Sequence, residues 1–303
     1  MDTRPGELAE RAVRAIEGQD WLRPTEDVLQ RAIAAAFRAG GAGGRLLKNF
    51  LHGTWLGHPL HSVLTDVPVG AWTAAFVFDR LDGRPGGQRW SRRADGAIAI
   101  GIGGAAAAAA AGLTDWQHLD GAPRRTGLAH AALNTVALGL YTGSWLLRRR
   151  GARGAGRTLA GAGFGVLIAA AYLGGRLVYH DRVGVDHAQR EGPEGFARAV
   201  RDAELREGQP QRAVIDGVGV VLVRRQGRVH ALGEVCAHLG GPLAEGVLQE
   251  DALVCPWHGS RFALQDGRVL DGPATLAQPC FETRVRDGYI EVRRADASQR
   301  AAA

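Results

Sequence analysis

Four long apolar runs organise the middle of the chain. Residues 60–78 hold one acid, Asp66, and one histidine, His61, while 97–114, 128–147 and 158–175 carry no charged side chain. A helix needs roughly 20 apolar residues to cross a bilayer core, with about 17 as the lower end. All four runs reach that length and arginine-rich loops separate them, which predicts four transmembrane helices. The stretch GIGGAAAAAAAG suits close helix contact through small residues. Ahead of these runs, residues 1–57 are polar, with Val28, Ala32, Ile33, Ala36 and Phe37 at helical spacing. That pattern predicts one short amphipathic helix lying on the membrane or on a neighbour. Residues 181–196 read as a linker, marked by Gly192, Pro193 and Gly195. From Val214 the period falls toward two, in VGVVLV, RVHAL, ALVC, SRFAL, FETRV and YIEV, with turns at Gln226-Gly227, Asp266-Gly267 and Asp287-Gly288. The expected fold class is α + β multidomain: a transmembrane four-helix bundle over 58–180, a small all-β domain over 197–295, and a disordered tail over 296–303.

Charge adds a membrane surface to this picture. The net charge is +6 and Lys48 is the only lysine, so the cation is arginine. It lies in short loops between apolar runs rather than in one strip, which favours lipid over nucleic acid. Three cysteines make no disulfide framework and indicate a reducing compartment. The first 25 residues are charged throughout, so neither a cleaved secretory signal nor a twin-arginine signal is expected.

The sharpest chemical signal is Cys236-x-His238, then sixteen residues, then Cys255-x-x-His258. Four such ligands on two loops can hold zinc or an iron–sulfur cluster. Zinc sites usually put two cysteines on one knuckle, whereas each loop here offers one thiolate and one imidazole. That order suits two irons, one held by sulfur and one by nitrogen. The segments CAHLGGPL, CPWHGSRF and GPAT resemble the Rieske [2Fe–2S] ferredoxins over 197–295. The resemblance implies that the outer nitrogens of both histidines face solvent, with Leu239, Pro242 and Trp257 as a docking rim. The cysteines that form a disulfide in high-potential respiratory relatives are replaced by Gly241 and Trp257. Ser260 can donate a hydrogen bond to cluster sulfur, but Phe262 stands where those relatives carry a donating tyrosine. A potential in the lower half of the roughly −150 to +300 mV Rieske range follows. Cys280 reads as an inert buried thiol.

Seven histidines lie outside the β domain, His52 and His187 among them. Alternating spans bring His58, His61, Asp115, His118, His130 and His180 to one face, with Asp66 and Asn134 about a turn deeper. Polar groups in a membrane segment usually face the interior. His58, His61, Asp66, His118, His130 and His180 are therefore candidates for a second redox or metal site, for metal, haem or quinone, against the alternative of interfacial histidines bonded to headgroups and loop carbonyls. The segments GHPLHSVLTDVPVGAW, GLTDW, HAALNT and GGRLVYHDRVGVDH resemble the bacterial membrane family called domain of unknown function 2231, over 50–187. That resemblance implies four helices and no established chemistry.

Ten arginines flank one membrane face (Arg80, Arg84, Arg89, Arg92, Arg93, Arg148, Arg149, Arg150, Arg153, Arg157) against six cations on the other. Charge alone would put both termini outside. A cluster inserted in the cytoplasm argues for a cytoplasmic β domain in a multi-pass cell-membrane protein, and that orientation is expected. The expected function is a membrane-anchored one-electron carrier, not itself an enzyme. Its donor would be a reductase, quinol or haem, and its acceptor a membrane or cytosolic protein. The alternative is a redox-sensing or assembly protein. An oxygenase subunit needs a further site of two histidines and a carboxylate, and no histidine follows His258.

Overall fold

The computed structural model describes residues 5–82 and 88–295; Arg84 and the tail 296–303 lie outside the described residues. Among the described residues seven α-helices precede ten strands. The helices are α1 (Pro5–Glu17), α2 (Arg23–Ala39), α3 (Gly41–His52), α4 (Leu60–Leu81), α5 (Gln88–Trp116), α6 (Gly121–Arg149) and α7 (Arg153–Tyr179). The chain forms two compact units. One holds the helices through Leu47 together with Leu60–Val183; the other joins Lys48–Pro59 to the chain from Gly184 onward.

The N-terminal segment holds three helices where the sequence predicts one. The apolar positions of α2 pack only in part, with Val28 57% exposed and Ile33 and Phe37 half-buried, whereas Glu26 is 1% exposed. Carboxylates hold these helices as well. Arg124 donates to Glu26 at 3.0 Å, and also to Asp27. Arg176 meets Glu10 at 3.2 Å and Glu17 at 3.1 Å. Charge-assisted bonds with a largely buried guanidinium are stronger than neutral ones.

Within the same unit α4 packs along α5 and α6 along α7, while α5 meets α6 and α4 meets α7. Trp72 stacks on Tyr141 with ring centres 4.0 Å apart, and Phe76 stacks on Phe164 at 4.5 Å. Two helices, α5 and α7, are long and apolar enough to cross a membrane. Only 22% and 28% of their apolar windows are buried, so their hydrophobic side chains face outward, unlike those of a soluble core helix. The sequence predicts four spans. α4 and α6 fall short of the same measure because polar groups interrupt them, Asp66 and Asp79 in one, His130, Asn134 and Ser144 in the other. Near the α4–α5 and α6–α7 turns, Arg148 is buried between Asp79, at 2.8 and 2.5 Å, and Asp95, at 3.4 Å. Arg153 reaches Asp95 at 2.8 Å and Arg157 reaches Asp82.

The β unit contains a six-stranded sheet in the order β1-β10-β9-β4-β3-β2 and a four-stranded sheet β5-β6-β7-β8. The six strands are β1 (Ala197–Arg201), β2 (Gln211–Ile215), β3 (Val218–Arg225), β4 (Arg228–Gly233), β9 (Cys280–Arg286) and β10 (Tyr289–Arg294). The four are β5 (Val247–Gln249), β6 (Ala252–Val254), β7 (Arg261–Ala263) and β8 (Val269–Asp271). Gln226-Gly227 and Asp287-Gly288 close the β3–β4 and β9–β10 hairpins with both residues at positive φ, the geometry a two-residue hairpin turn requires. One core, with Val221, Leu232, Leu253 and Phe262, includes Cys236 and Cys255 and thus lies directly under the paired loops.

Two outcomes are expected. Arg148→Ala strands Asp79 and should destabilise the helical unit by about 3–5 kcal/mol, whereas the exposed Arg149→Ala should cost no more than about 1 kcal/mol; denaturation of the purified chain in detergent compares them. In the β unit, burial lowers the His230 pKa from its ordinary 6.5. Below that pH the unfolded chain binds a proton that the folded unit refuses, so stability is full above 6.5 and declines as pH falls. The unfolding midpoint should drop between pH 7 and 5.5, and His230→Gln should flatten that dependence.

Candidate metal centre

Two loops of the β unit are built to one plan. In the first, which follows β4, the Cys236 N–H donates to Gly241 O at 2.9 Å and the Gly240 N–H returns to Cys236 O at 2.9 Å. In the second, between β6 and β7, the Cys255 N–H donates to Ser260 O at 2.9 Å and the Gly259 N–H to Cys255 O at 3.1 Å. Gly240 and Gly259 sit at φ +80° and +76°, a conformation glycine adopts at little cost. The loops therefore turn tightly, with their cysteines buried against the core.

Cys236 and Cys255 lie in one core cluster, close enough for each thiol to perturb the titration of the other. That proximity, with the backbone N–H groups of Trp257 and His258, lowers the Cys255 pKa from its ordinary value. The same proximity, then burial, pushes Cys236 up. Beside it the His238 and His258 rings meet edge to face, centres 5.1 Å apart. Burial, then the proximity of His258, His52, His187 and Lys48, lowers the His238 pKa to about 2, so its imidazole stays neutral and able to bind metal. Its Nδ1 is sealed from solvent. A Cβ at Gly241 would lie 2.9 Å from Cys255 Sγ and 3.1 Å from the Trp257 ring, so the loop needs that space empty.

The donors fit a [2Fe–2S] cluster. The two cysteines share one core cluster and the two imidazoles pair beside it, the division that one iron held by sulfur and one by nitrogen requires. Ser260 is buried and its Oγ accepts the Ala274 N–H at 3.0 Å, leaving its own proton for another acceptor. Phe262 is buried in the core beneath and donates nothing. Cys280 packs half-buried against this core.

Several contributors escape sequence reasoning. Gln278, 1% exposed, donates to Gly233 O at 2.8 Å and Val235 O at 2.6 Å, and accepts the Ala237 N–H at 3.1 Å. It pins the first loop from inside, and nothing in its local sequence announces it. His52 and His187, placed by the sequence outside the β domain, belong to the β unit. The His187 N–H donates to Ala237 O at 3.1 Å, and His52 is fully buried against Gly272. His238 and His258 are half-buried, with the His238 Nδ1 on the inside. Trp257 remains exposed.

The histidines assigned to the membrane face do not assemble as one site. His58 is exposed and belongs to the β unit; His180 is exposed and bonded to Asp181 at 2.8 Å; His118 is half-buried and Asp66 exposed. His61 and His130 do come together, ring centres 6.3 Å apart.

Comparison with known proteins agrees with this division. Residues 57–187 match the family described as Predicted membrane protein (DUF2231), and residues 196–282 match the Rieske [2Fe-2S] domain. Apoptosis-inducing factor 3 of Mus musculus is 33% identical over 90 residues, 30% of this chain, which spans only 15% of that protein. The 3-phenylpropionate/cinnamic acid dioxygenase ferredoxin subunit of Escherichia coli O139:H28 is 33% identical over 89 residues, 29% of this chain and 83% of the subunit. Among solved structures, the ferredoxin of carbazole 1,9a-dioxygenase from Nocardioides aromaticivorans IC177 is 27% identical, covering 33% of this chain and 98% of that one, with a TM-score of 0.32. Its C-terminal part binds a [2Fe–2S] cluster, and the chain belongs to the Rieske family, with a DUF2231 domain ahead of the Rieske domain.

Proposed function

We propose that this protein is a membrane-anchored Rieske electron carrier, passing one electron at a time between a reductase, quinol or haem donor and a protein acceptor. The observation that carries the reading is the meeting of two loops whose cysteines share one core cluster and whose imidazoles pair beside it. Cys236 and Cys255 would hold one iron, His238 and His258 the other. When bound, the cluster supplies a one-electron centre whose neutral imidazole ligands raise its potential above that of an all-cysteine cluster. Gln278 and the paired backbone bonds hold the first loop in place as charge changes. Ser260 would donate a hydrogen bond to cluster sulfur and so favour the reduced state. Exposed Trp257, with Leu239 and Pro242, offers an apolar rim to a redox partner.

All four long helices are assigned to the membrane in this reading. Outward apolar side chains on α4 (Val63, Val67, Val69, Val77) and α6 (Val136, Leu146) support adding them to α5 and α7. The β unit is assigned to the cytoplasm, where its free cysteines are stable.

Reduced membranes should show a Rieske electron paramagnetic resonance signal, and the purified chain two irons and two sulfides. Cys236→Ser or His258→Ala should abolish the signal; one zinc without sulfide would refute the assignment. The potential should fall in the lower half of the range of roughly −150 to +300 mV. Phe262→Tyr adds a donor and should raise it by about 20–60 mV, the one-electron equivalent of a hydrogen bond worth ~0.5–1.5 kcal/mol. Ser260→Ala should lower it by a similar amount, read by redox titration.

A further inference from the structure

The helical unit repeats itself. Residues 61–73 and 130–142 share His61/His130, Leu64/Leu133, Val67/Val136, Gly70/Gly139, Trp72/Tyr141 and Thr73/Thr142 in one register. The contacts repeat as well. The His61 Nδ1–H donates to Ala108 O at 2.8 Å, and the His130 Nδ1–H to Ala170 O at 2.8 Å. A Cβ on Gly112 would lie 2.8 Å from the His61 ring, and one on Gly174 3.0 Å from the His130 ring. Gly101 abuts Trp72 just as Gly163 abuts Tyr141. Hairpin α4–α5 and hairpin α6–α7 are thus two copies of one unit. Both Trp72–Tyr141 and His61–His130 meet as equivalents, so α4 and α6 run parallel about a shared pseudo-two-fold axis.

We propose that His61 and His130 are the two axial ligands of one haem held on this axis. A carbonyl only accepts, so each Nδ1 carries the proton and each Nε2 keeps its lone pair. A ring fixed through its other nitrogen is the usual state of a metal-ligating histidine. Asn134 shows which nitrogen is basic: its amide donates to His130 Nε2 at 3.1 Å. That amide turns away on ligation and keeps its second bond, to His130 O at 2.9 Å. The spacing fits. Two imidazoles bound through nitrogen at about 2 Å on opposite sides of one metal have ring centres about 6 Å apart, and these stand 6.3 Å apart at 85°. The donor count selects the ligand. No third His, Cys, Asp or Glu joins the pair among the described residues. A bare ion would want more protein donors, whereas haem iron brings four nitrogens of its own and needs axial ligands alone.

The test uses the full chain purified in detergent from haem-replete cells, and then titrated with hemin. The expected result is one haem per chain with a six-coordinate, low-spin spectrum. His61→Ala and His130→Ala should each convert it to a high-spin form or lose the haem, and added imidazole should restore the low-spin form. His118→Ala and His180→Ala, at the other repeated histidine position, should leave it unchanged. The Rieske resonance signal reports the β unit and does not depend on haem, so the two assignments fail separately, and circular dichroism of each variant reports the folding of the helical unit. A wild-type chain that takes up no haem even when hemin is added, or a low-spin spectrum unaltered in both His61→Ala and His130→Ala, overturns the proposal.

Discussion

Two loops from separate hairpins must deliver their sulfurs to one another, and the contact between Cys236 and Cys255 is the constraint on which the β unit is built. Neither loop could hold that position by side chain alone. Each ties its cysteine N–H to a carbonyl five residues on and turns through a glycine at positive φ. The first is also held from beneath by the three bonds of Gln278. Both cysteines sit on a core of Val221, Leu253 and Phe262 that leaves no slack behind them. An electron carrier gains from this rigidity, because a site that barely moves between oxidation states wastes little energy on rearrangement.

Local chemistry was legible in the sequence and distant support was not. Cys236, His238, Cys255 and His258 announce themselves because ligand type and spacing are short-range properties. The groups around them come from far away. The Asn49 side chain donates to Asp271 at 2.8 Å and accepts the Gly272 N–H at 3.0 Å, across more than two hundred residues. His52 and His187 flank His238 from outside the strands. Single polar side chains leave no periodic trace, so a segment read as part of the N-terminal region belongs in fact to the β unit. The N-terminal helices show the same limit. Periodicity finds α2 through its apolar positions, yet Glu26 and Asp27 hold it in place by binding Arg124.

The long helices were legible as apolar runs, though the polar groups along α4 and α6 that interrupt them carry much of the structure's information. A repeat at one register was present in the sequence, and the apolar background hid it: His61 and His130 look incidental until Ala108 and Ala170 are seen to receive identical bonds.

Where the two copies differ is as telling as where they agree. Asp79 and Arg148 occupy equivalent positions eighteen residues beyond their histidines. Had both copies kept the same charge there, two like charges would face each other in a buried place, at a cost of several kcal/mol. Opposite charges turn the same geometry into a bidentate pair, at 2.8 and 2.5 Å. Near the other end of the helices the equivalents remain the same residue, histidine on histidine, each with its proton committed to a carbonyl. Divergence on the axis removed a repulsion at one end. At the other, identity leaves two matched bases facing one another, an arrangement that a neutral aliphatic pair would fill more cheaply unless a shared ligand took the lone pairs.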